Sequence, residues 1–321
     1  MHITILGGGA LGSILAALLT RAGEDVTVLA RGARAQHLLS HGVMLKGLVE
    51  DTVPVRVETD PAALGPTELL IVTPKTYDTE SALAPLARLD VGAALSVQNG
   101  VLKNDQLAAV FGPARTLGCI ATFSGEVLAD GTALYTQNRA FHVGELPTGT
   151  SARVEAIVAV LKNAGVAGVV NEAVADGEWS KFVAWCPMMA LSVLTRLPSG
   201  RFCADEQAAE FAVAMVREVA AVAGAQGVTV DDSGPLPAAT MVRVGQAEAV
   251  GMVTAMGRKL AAAAPNHRMS TLQDLENGKR LEVDETLGHV VRLARRAGIA
   301  VPVTESAWQL VAAIDRGRRA A

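Results

Sequence analysis

Three glycines near the N-terminus are the first residues whose spacing points to chemistry. Gly7, Gly9 and Gly12 form a G-x-G-x-x-G pattern that follows the apolar segment His2–Leu6 and opens a helical pattern. There the first glycine permits a tight turn, the second lets the backbone approach a pyrophosphate, and the third lets helix and strand pack closely. The helix N-terminus offers N–H groups to phosphates. Gly7-Gly8-Gly9-Ala10-Leu11-Gly12 is therefore predicted to bind a dinucleotide, although a glycine-rich turn in another α/β fold is the alternative.

The end of the second predicted strand distinguishes between the two nicotinamide dinucleotides. Proteins that bind NAD usually carry an acidic residue there, whereas this chain has Ala30-Arg31, with Arg34 close behind. A guanidinium matches a 2′-phosphate, and a carboxylate would repel it. The sequence therefore favours NADPH/NADP as the cofactor, with Arg31 as the phosphate ligand. The alternative is that Arg31 and Arg34 are ordinary surface charges.

Alternating strands and helices must position these residues. Short apolar runs typical of buried strands occur at Asp25–Ala30, Leu69–Val72 and Ala94–Val97, with helical stretches such as Glu80–Arg88 between them. Such alternation predicts an α/β Rossmann domain with a doubly wound, mostly parallel sheet. Residues 115–147 are rich in β-formers and turns, and they predict further strands at the sheet edge.

The second part of the chain has helical periodicity throughout. The clearest helices are predicted at Phe211–Ala225, Val242–Ala264 and Glu282–Ala297. Gly298 is predicted to end the last of these, with Pro302 following it. We therefore predict an NADP-binding Rossmann domain over residues 1–170 and an all-α substrate and catalytic domain over residues 171–321.

Composition and charge argue against several classes of protein. The net charge is −4 without a Lys/Arg block, so nucleic acid is not an expected partner. The three cysteines form no CxxC pair and the six histidines show no ligand spacing, so no metal site is expected. No charge-free stretch suits a membrane span, and no Lys or Arg precedes the apolar N-terminal stretch. We expect a cytoplasmic protein without a membrane partner.

Taken together, the motifs resemble those of the ketopantoate reductase (2-dehydropantoate 2-reductase) family over nearly the whole chain. Besides the glycine pattern and Arg31, the resemblance rests on these segments: Thr73-Pro74-Lys75, Gln98-Asn99-Gly100, Trp179-Ser180-Lys181-Phe182, Leu194-Thr195-Arg196, Ser270-Thr271-Leu272-Gln273-Asp274 followed by Glu282, and Arg295-Arg296-Ala297-Gly298-Ile299-Ala300-Val301-Pro302. The resemblance implies that NADPH reduces the C2 carbonyl of a small 2-oxo acid to a 2-hydroxy acid.

The resemblance also implies roles for individual residues. It makes Lys181 the catalytic lysine and Glu282 its carboxylate partner, places Lys75 and Asn99 beside nicotinamide and substrate, and gives Ser270 the substrate carboxylate. A lysine ammonium can stabilise a developing alkoxide and then protonate it, and a nearby carboxylate keeps that lysine charged. Without the resemblance, Lys181 would be a surface lysine, Glu282 a helix start, Asn99-Gly100 a turn and Ser270 a helix N-cap.

Two positions depart from the family pattern. Asparagines are expected four and eight residues after the lysine, where this chain has Trp185 and Met189. Residues spaced by four share a helix face, so we expect an apolar pocket wall and a substrate with a bulkier or more apolar tail than ketopantoate. The alternative is that both are core residues of a slightly rotated helix. Pro187 cannot donate to the carbonyl of Val183, and we expect a kink there.

Other functions share part of this pattern. They are a paralogous reductase acting on another carbonyl or imine, a non-catalytic NADP(H)-binding sensor, and a dehydrogenase of the β-hydroxyacid type. The pairing of Lys181 with Glu282 argues against the sensor. Trp185 argues against the β-hydroxyacid type, which places an asparagine four residues after its lysine. The long helices are compatible with a homodimer or a monomer.

Overall fold

The computed structural model describes residues 1–319, and these form two compact units. Unit 1 consists of Met1–Asn99 and Lys103–Ala175, and unit 2 consists of Gly100–Leu102 and the described residues from Asp176 onward. The main change of unit therefore falls at Ala175, a few residues after the position expected from the sequence. The chain also passes briefly into unit 2 directly after Asn99.

Unit 1 is built from strands and helices that alternate over its first half. Its strands are β1 (His2–Leu6), β2 (Asp25–Leu29), β3 (Val43–Gly47), β4 (Asp51–Val53), β5 (Arg56–Glu58), β6 (Thr67–Val72), β7 (Val91–Ser96), β8 (Leu117–Val127), β9 (Ala133–Glu145) and β10 (Gly168–Val170). Its helices are α1 (Ala10–Arg21), α2 (Gly32–His41), α3 (Thr79–Leu83), α4 (Leu102–Phe111) and α5 (Ala152–Asn163).

The first sheet has the parallel Rossmann arrangement expected from the sequence. Its order is β5-β2-β1-β6-β7, and every neighbouring pair is parallel. Successive residues of β6 face opposite sides: Leu69 and Ile71 belong to one apolar cluster, and Leu70 and Val72 to another. Because apolar side chains cover both faces, the strands appear in the sequence as continuous apolar runs.

The turn-rich region 115–147 forms the long antiparallel hairpin β8–β9, which confirms the further strands. These strands belong to a second sheet and not to the edge of the first: its order is β10-β9-β3-β4, with β8 paired to β9. An isolated bridge joins Ala94 of β7 to Thr116, the residue before β8. The strands β3, β4 and β5 were not predicted from the sequence. Strands β4 and β5 have three residues each, and each contains one apolar residue. That is too few to produce a recognisable strand pattern in the sequence.

Unit 2 is helical, as the sequence predicts, and no strand follows β10 in the described residues. Its helices are α6 (Val174–Thr195), α7 (Ser199–Ala204), α8 (Glu206–Ala225), α9 (Ala238–Arg243), α10 (Gln246–Ala263), α11 (Ser270–Glu276), α12 (Leu287–Ala297) and α13 (Pro302–Arg319). Helix α6 is buried over most of its length and continues through Pro187, so the proline does not end it. Within residues 1–319, no helix is both long and apolar enough to cross a membrane.

The predicted helix Phe211–Ala225 begins five residues earlier, at Glu206. Three other predicted helix boundaries are wrong. The region Glu80–Arg88 is α-helical only to Leu83, because Pro85 lies in a short 3-10 turn. The stretch Val242–Ala264 is two helices, α9 and α10, separated at Val244-Gly245. The end of α12 is as expected, since Gly298 has the left-handed conformation with φ of 68° and Pro302 begins α13.

The third wrong boundary is the start of α12, which lies at Leu287 instead of Glu282. The Thr286 hydroxyl donates to the Glu282 carbonyl, and the Gly288 N–H donates to the Val283 carbonyl at 3.0 Å. These local bonds replace the regular helical pattern. Glu282 therefore lies in the turn before α12, and the alternative role of a helix-start residue does not apply to it.

Candidate active site

The predicted cofactor residues of unit 1 follow strands whose carboxyl ends are in register. Leu6 of β1 lies opposite Leu29 of β2 and Val72 of β6, and Val72 lies opposite Ser96 of β7. The residues that come next are the glycine turn, Arg31, Thr73-Pro74-Lys75 and Gln98-Asn99, in that order along the chain. One edge of the sheet thus carries all of them, which is the edge where such folds bind ligands.

The glycine turn has the backbone geometry that its sequence pattern requires. Gly7 has φ of +101°, and its N–H donates to the Leu29 carbonyl at 2.9 Å. A Cβ at Gly12 would lie 2.0 Å from the Gly7 carbonyl oxygen. Both glycines are therefore required by the packing of the protein itself.

Gly9 differs from the other two glycines of the pattern. A Cβ placed on Gly9 would meet no heavy atom of the described residues within 4 Å, apart from its chain neighbours. It immediately precedes α1 and is exposed, as Ala10 and Leu11 are in part. The space above Gly9 is open at a helix N-terminus, so the turn fits a dinucleotide pyrophosphate that approaches its backbone.

The two arginines after β2 have different surroundings. Arg31 is exposed in the N-cap position of α2, and within residues 1–319 its side chain makes no hydrogen bond or ion pair. The Arg34 guanidinium instead donates to the Gly8 carbonyl at 2.7 Å, the Gly131 carbonyl at 2.7 Å and the Ser13 hydroxyl at 2.8 Å. Arg31 is thus available for a ligand, and Arg34 is not the surface charge that the sequence left open.

Side-chain hydrogen bonds join the loops at this edge of the sheet. The Thr73 hydroxyl lies 2.9 Å from the carbonyl oxygens of both Leu6 and Gly7. The Gln98 amide donates to the Pro74 carbonyl at 2.6 Å and to the Thr79 hydroxyl at 2.7 Å. The glycine turn, the segment before Lys75 and the segment before Asn99 therefore form one connected network.

Lys103 extends this network, and sequence reasoning did not find it. Its side chain is 3% exposed, and Nζ donates to the Ser96 carbonyl at 3.1 Å and to the Cys119 carbonyl at 2.5 Å. It fastens the end of β7, just before Gln98-Asn99, to β8. The only sequence feature that pointed to Lys103 was its position shortly after Gln98-Asn99-Gly100. A lysine near such a turn is too common to indicate a role by itself.

In unit 2, Lys181 is a partly exposed residue on the otherwise buried helix α6. The residues around it form an aromatic ladder of Trp179, Phe182 and Trp185. The ring centroids of Trp179 and Phe182 are 5.9 Å apart at 73°, and those of Phe182 and Trp185 are 6.3 Å apart at 22°. This packing fixes the rotation of α6 and so the direction in which Lys181 leaves the helix.

Glu282 is partly exposed, and the residue before it is hydrogen-bonded to helix α13. The N–H of Leu281 donates to the Asp315 carboxylate at 3.0 Å, and Asp315 pairs with Arg319 at 2.9 Å. Beside Glu282, burial raises the pKa of Glu285, although Arg280 lies 2.9 Å from its carboxylate. The carboxylate of Glu282 is therefore carried by an anchored turn instead of a helix.

Gly100, which belongs to unit 2, lies close to Thr286 and Phe182. A Cβ at Gly100 would lie 3.4 Å from Cγ2 of Thr286 and 3.8 Å from a ring carbon of Phe182. Gly100 follows Asn99, Phe182 follows Lys181, and the Thr286 hydroxyl bonds the carbonyl of Glu282. Within unit 2, Gly100 therefore lies against the residue that follows Lys181 and against the threonine that binds the Glu282 carbonyl.

The remaining predicted substrate residues have contrasting exposure. Ser270 is exposed at the first position of α11, and the N-cap is Met269, so the alternative of a capping serine is wrong. Trp185 is 8% exposed and Met189 is 1% exposed, and both belong to the hydrophobic core of unit 2, as in the alternative that they are core residues. Lys75 and Asn99 are partly exposed at the sheet edge of unit 1.

Comparison with known proteins gives a consistent result across both units. The family model described as ketopantoate reductase PanE/ApbA matches residues 3–148, and the model for its C-terminal part matches residues 173–315. The chain is 30% identical over 319 residues to the 2-dehydropantoate 2-reductase of Archaeoglobus fulgidus, with 98% of each chain covered.

Two solved structures show the same fold over the whole chain. A PanE/ApbA family ketopantoate reductase from Ralstonia eutropha JMP134 aligns with a TM-score of 0.83 at 27% identity, covering 99% of this chain and all of the other. D-mandelate dehydrogenase, solved with NADH and anilino(oxo)acetate, aligns with a TM-score of 0.85 at 18% identity and the same coverage. At that identity, the second likeness concerns the fold alone.

A Rossmann domain with a glycine turn, followed by a helical domain carrying a lysine and a carboxylate, defines a pyridine-nucleotide-dependent oxidoreductase. The two family models together cover most of the chain. The chain belongs to the ketopantoate reductase PanE/ApbA family, as the motifs indicated. It is an oxidoreductase acting on CH–OH groups, of the 2-dehydropantoate 2-reductase type.

Proposed function

We propose that the chain uses NADPH to reduce a 2-oxo acid whose tail is bulkier or more apolar than that of ketopantoate. Arg31 is the main support for the choice of NADPH. It is exposed, it has no side-chain partner within residues 1–319, and it follows β2 at the same sheet edge as the glycine turn. A guanidinium at this position suits a 2′-phosphate.

We propose Gly7 to Gly12, Arg31, Lys75 and Asn99 as the residues that hold the cofactor. When it is bound, a reduced nicotinamide supplies a hydride to the C2 carbonyl. The ammonium of Lys181 stabilises the negative charge that develops on the carbonyl oxygen and then donates a proton to it. Glu282 keeps that ammonium charged, because a nearby carboxylate favours the protonated form of a lysine.

The remaining roles concern recognition of the substrate. Ser270, exposed at the start of α11, binds the substrate carboxylate together with Lys75 and Asn99. Trp185 lies four residues after Lys181 and carries no amide with which to hydrogen-bond a substrate hydroxyl. An apolar wall discriminates by size instead of by hydrogen bonding, so it loses the strong preference for a hydroxylated substrate.

The structural relatives are compatible with this substrate class. D-mandelate dehydrogenase has the same fold and was solved with an anilino-substituted oxoacetate. The fold therefore accommodates an aryl-bearing 2-oxo acid in that protein. In this chain, we propose that Trp185, which is 8% exposed and packs on Phe182, supplies the apolar contact to such a group.

The test is the oxidation of NADPH by the purified chain with a panel of 2-oxo acids, using NADH in parallel as the cofactor control. The panel runs from ketopantoate through branched aliphatic to aryl-substituted 2-oxo acids. We expect the highest kcat/KM for an apolar or aryl-substituted member, and higher kcat/KM with NADPH than with NADH. Highest efficiency on ketopantoate would refute the substrate proposal, and equal use of both cofactors would refute the choice of NADPH.

A further inference from the structure

Arg34 has an unusual environment for a residue one turn into a surface helix. Its Nε donates to the Gly8 carbonyl, one terminal nitrogen donates to the Gly131 carbonyl, and the other donates to the Ser13 hydroxyl. The Ser13 hydroxyl in turn donates to the same Gly8 carbonyl at 2.9 Å. All three guanidinium nitrogens are therefore engaged, and two of them converge directly or through Ser13 on one carbonyl of the glycine turn.

We propose that Arg34 is a positioning residue for the cofactor: it holds the glycine turn in the orientation that binds the pyrophosphate. This inference rests on the proposed binding of NADPH at that turn. It separates the two arginines by function, with Arg31 recognising the 2′-phosphate and Arg34 acting only through the backbone of Gly8 and Gly9.

The geometry of the peptide bond explains how Arg34 acts. In a trans peptide, the carbonyl of Gly8 and the N–H of Gly9 point in opposite directions. Fixing the Gly8 carbonyl toward α2 therefore turns the Gly9 N–H away from α2. At Gly9 the space is open, since a Cβ there would have no heavy atom of the described residues within 4 Å other than its chain neighbours. This open side is where a phosphate can accept a hydrogen bond from the turn.

The Gly131 bond gives Arg34 a rigid support. Gly131 lies in the turn between β8 and β9, where its N–H donates to the Leu128 carbonyl at 2.9 Å. A Cβ at Gly131 would lie 2.2 Å from a ring carbon of His37, so this turn packs directly on α2. Arg34 thus connects the glycine turn to a hairpin that is 97 residues away in sequence.

The same geometry argues against a direct phosphate contact by Arg34. Bidentate recognition of a phosphate needs two adjacent N–H groups on one edge of the guanidinium. In Arg34, the edge formed by Nε and one terminal nitrogen already faces Gly8 and Ser13. Burial also lowers the pKa of Arg34 from its usual value, which reflects a half-buried group and not one extended into solvent.

The experiment compares the dissociation constants of NADPH and NADH, measured by calorimetric titration of the whole chain. The variants are Arg34→Met, Arg34→Lys, Ser13→Ala and Arg31→Ala. Arg217→Met is the matched control, because Arg217 also uses three nitrogens, on Met241, Gln246 and Val244, but within unit 2. Melting temperatures without nucleotide and kcat at saturating cofactor complete the set.

We expect Arg34→Met to weaken both nucleotides by the same factor of about ten, because it removes hydrogen bonds that orient the shared pyrophosphate site. The ratio of the two dissociation constants should stay at the wild-type value, and kcat at saturation should be unchanged. Arg34→Lys should recover part of the loss, and Ser13→Ala should show the same pattern more weakly. Arg31→Ala should weaken NADPH alone.

Two results would overturn this inference while leaving the proposed function intact. Weaker binding of NADPH with unchanged NADH in Arg34→Met would make Arg34 a phosphate ligand. A lower melting temperature with both dissociation constants unchanged, as expected for Arg217→Met, would make its role purely structural. If Arg34→Met does not fold, Ser13→Ala decides between the same outcomes. Failure of the wild-type chain to bind either nucleotide would overturn the proposed function, and this inference with it.

Discussion

The sheet edge of unit 1 and helix α6 of unit 2 both carry residues proposed to do chemistry, but they are held in different ways. At the sheet edge, Thr73, Gln98 and Lys103 donate to backbone carbonyls of neighbouring strands and loops through hydrogen bonds of 2.5–3.1 Å. On α6, Phe182 and Trp185 are held by stacking and burial.

The difference affects how far each region tolerates substitution. A hydrogen bond to a backbone carbonyl requires a donor at one distance and angle, so the residue types at the sheet edge are narrowly constrained. An apolar contact is non-directional and requires mainly volume. A helix face can therefore carry apolar residues where the family pattern has asparagines, as we propose for Trp185 and Met189.

The largest expected effect tests Lys181, the lysine on the apolar helix α6. Lys181→Ala should lower kcat by about 10²–10⁴-fold, because it removes the proposed proton donor. The dissociation constant of NADPH should remain at the wild-type value, since the glycine turn is untouched. Steady-state kinetics and nucleotide titration measure the two quantities. Lys259→Ala is the control, because Lys259 is an exposed residue of α10. Wild-type turnover by Lys181→Ala would remove Lys181 from the mechanism.

A pair of glycine variants tests the hydrogen-bonded edge. Gly12→Ala should lower the free energy of unfolding by about 1–3 kcal/mol, because its Cβ would lie 2.0 Å from the Gly7 carbonyl oxygen. Gly9→Ala should cost less than about 1 kcal/mol, since the space there is open and only the N-cap preference changes. Both should weaken nucleotide binding at least about tenfold, since both alter the pyrophosphate turn.

Denaturant unfolding of the nucleotide-free protein and calorimetric titration provide the two measurements for the glycine pair. Gly65→Ala is the control, because a Cβ there also meets open space but lies outside the turn. Equal destabilisation by Gly9→Ala and Gly12→Ala would mean that the open space at Gly9 is not reserved for a ligand.

The next prediction uses pH to probe the apolar packing of unit 2. His289 is 5% exposed, and burial, followed by Arg292 and Arg296, lowers its pKa to about 4. The unfolded chain protonates this histidine near pH 6.5, so stability is fully present above that pH and falls as the pH drops toward 4. Between pH 6.5 and 5, the loss should be about 2 kcal/mol for the wild type.

His289→Leu should remove this contribution to the pH dependence. The chain has three tryptophans, Trp179, Trp185 and Trp308, and all lie in unit 2, so tryptophan fluorescence during urea unfolding reports on that unit. Measurement at pH 7, where the wild-type histidine is neutral in both states, separates the effect of packing from that of titration. The same slope of stability against pH in wild type and variant would contradict the assignment.

The smallest expected effect concerns substrate selectivity on α6. Trp185→Asn should raise the ratio of kcat/KM for ketopantoate over an apolar 2-oxo acid by about tenfold, because it restores an amide beside Lys181. Trp179→Asn makes the same chemical change in the same aromatic ladder, but outside the spacing of four from Lys181. An equal shift from both variants would show that general loosening of the ladder, and not the pocket wall, sets the selectivity.

The elements with strong local signals could be predicted well from the sequence. The strand β1 coincides with the apolar segment His2–Leu6, and Gly298 ends α12 as expected. The start of α12 could not be predicted, because its sequence is compatible with a helix from Glu282. Side-chain and backbone hydrogen bonds of Thr286 and Gly288 decide otherwise.

In the candidate site, too, some features could be predicted from the sequence and others could not. The glycine pattern and the type of residue at position 31 were sufficient to predict a dinucleotide site, because glycine conformation and charge are local properties. The network through Lys103 was not predictable, since the carbonyl that it binds on β8 belongs to Cys119, in another strand.

The amino-acid sequence by itself determined the class of fold, the family and the residue types offered for catalysis, because periodicity, glycine spacing and side-chain chemistry are properties of short segments. Only the tertiary structure showed that Arg31 and Arg34, which have the same charge and lie one helical turn apart, have different surroundings. The fold places the carbonyls of Gly8 and Gly131 within hydrogen-bond distance of the Arg34 guanidinium, and the Arg31 side chain does not bind them. A side chain's partners are set by neighbours in space, and the order of residues along the chain does not specify them.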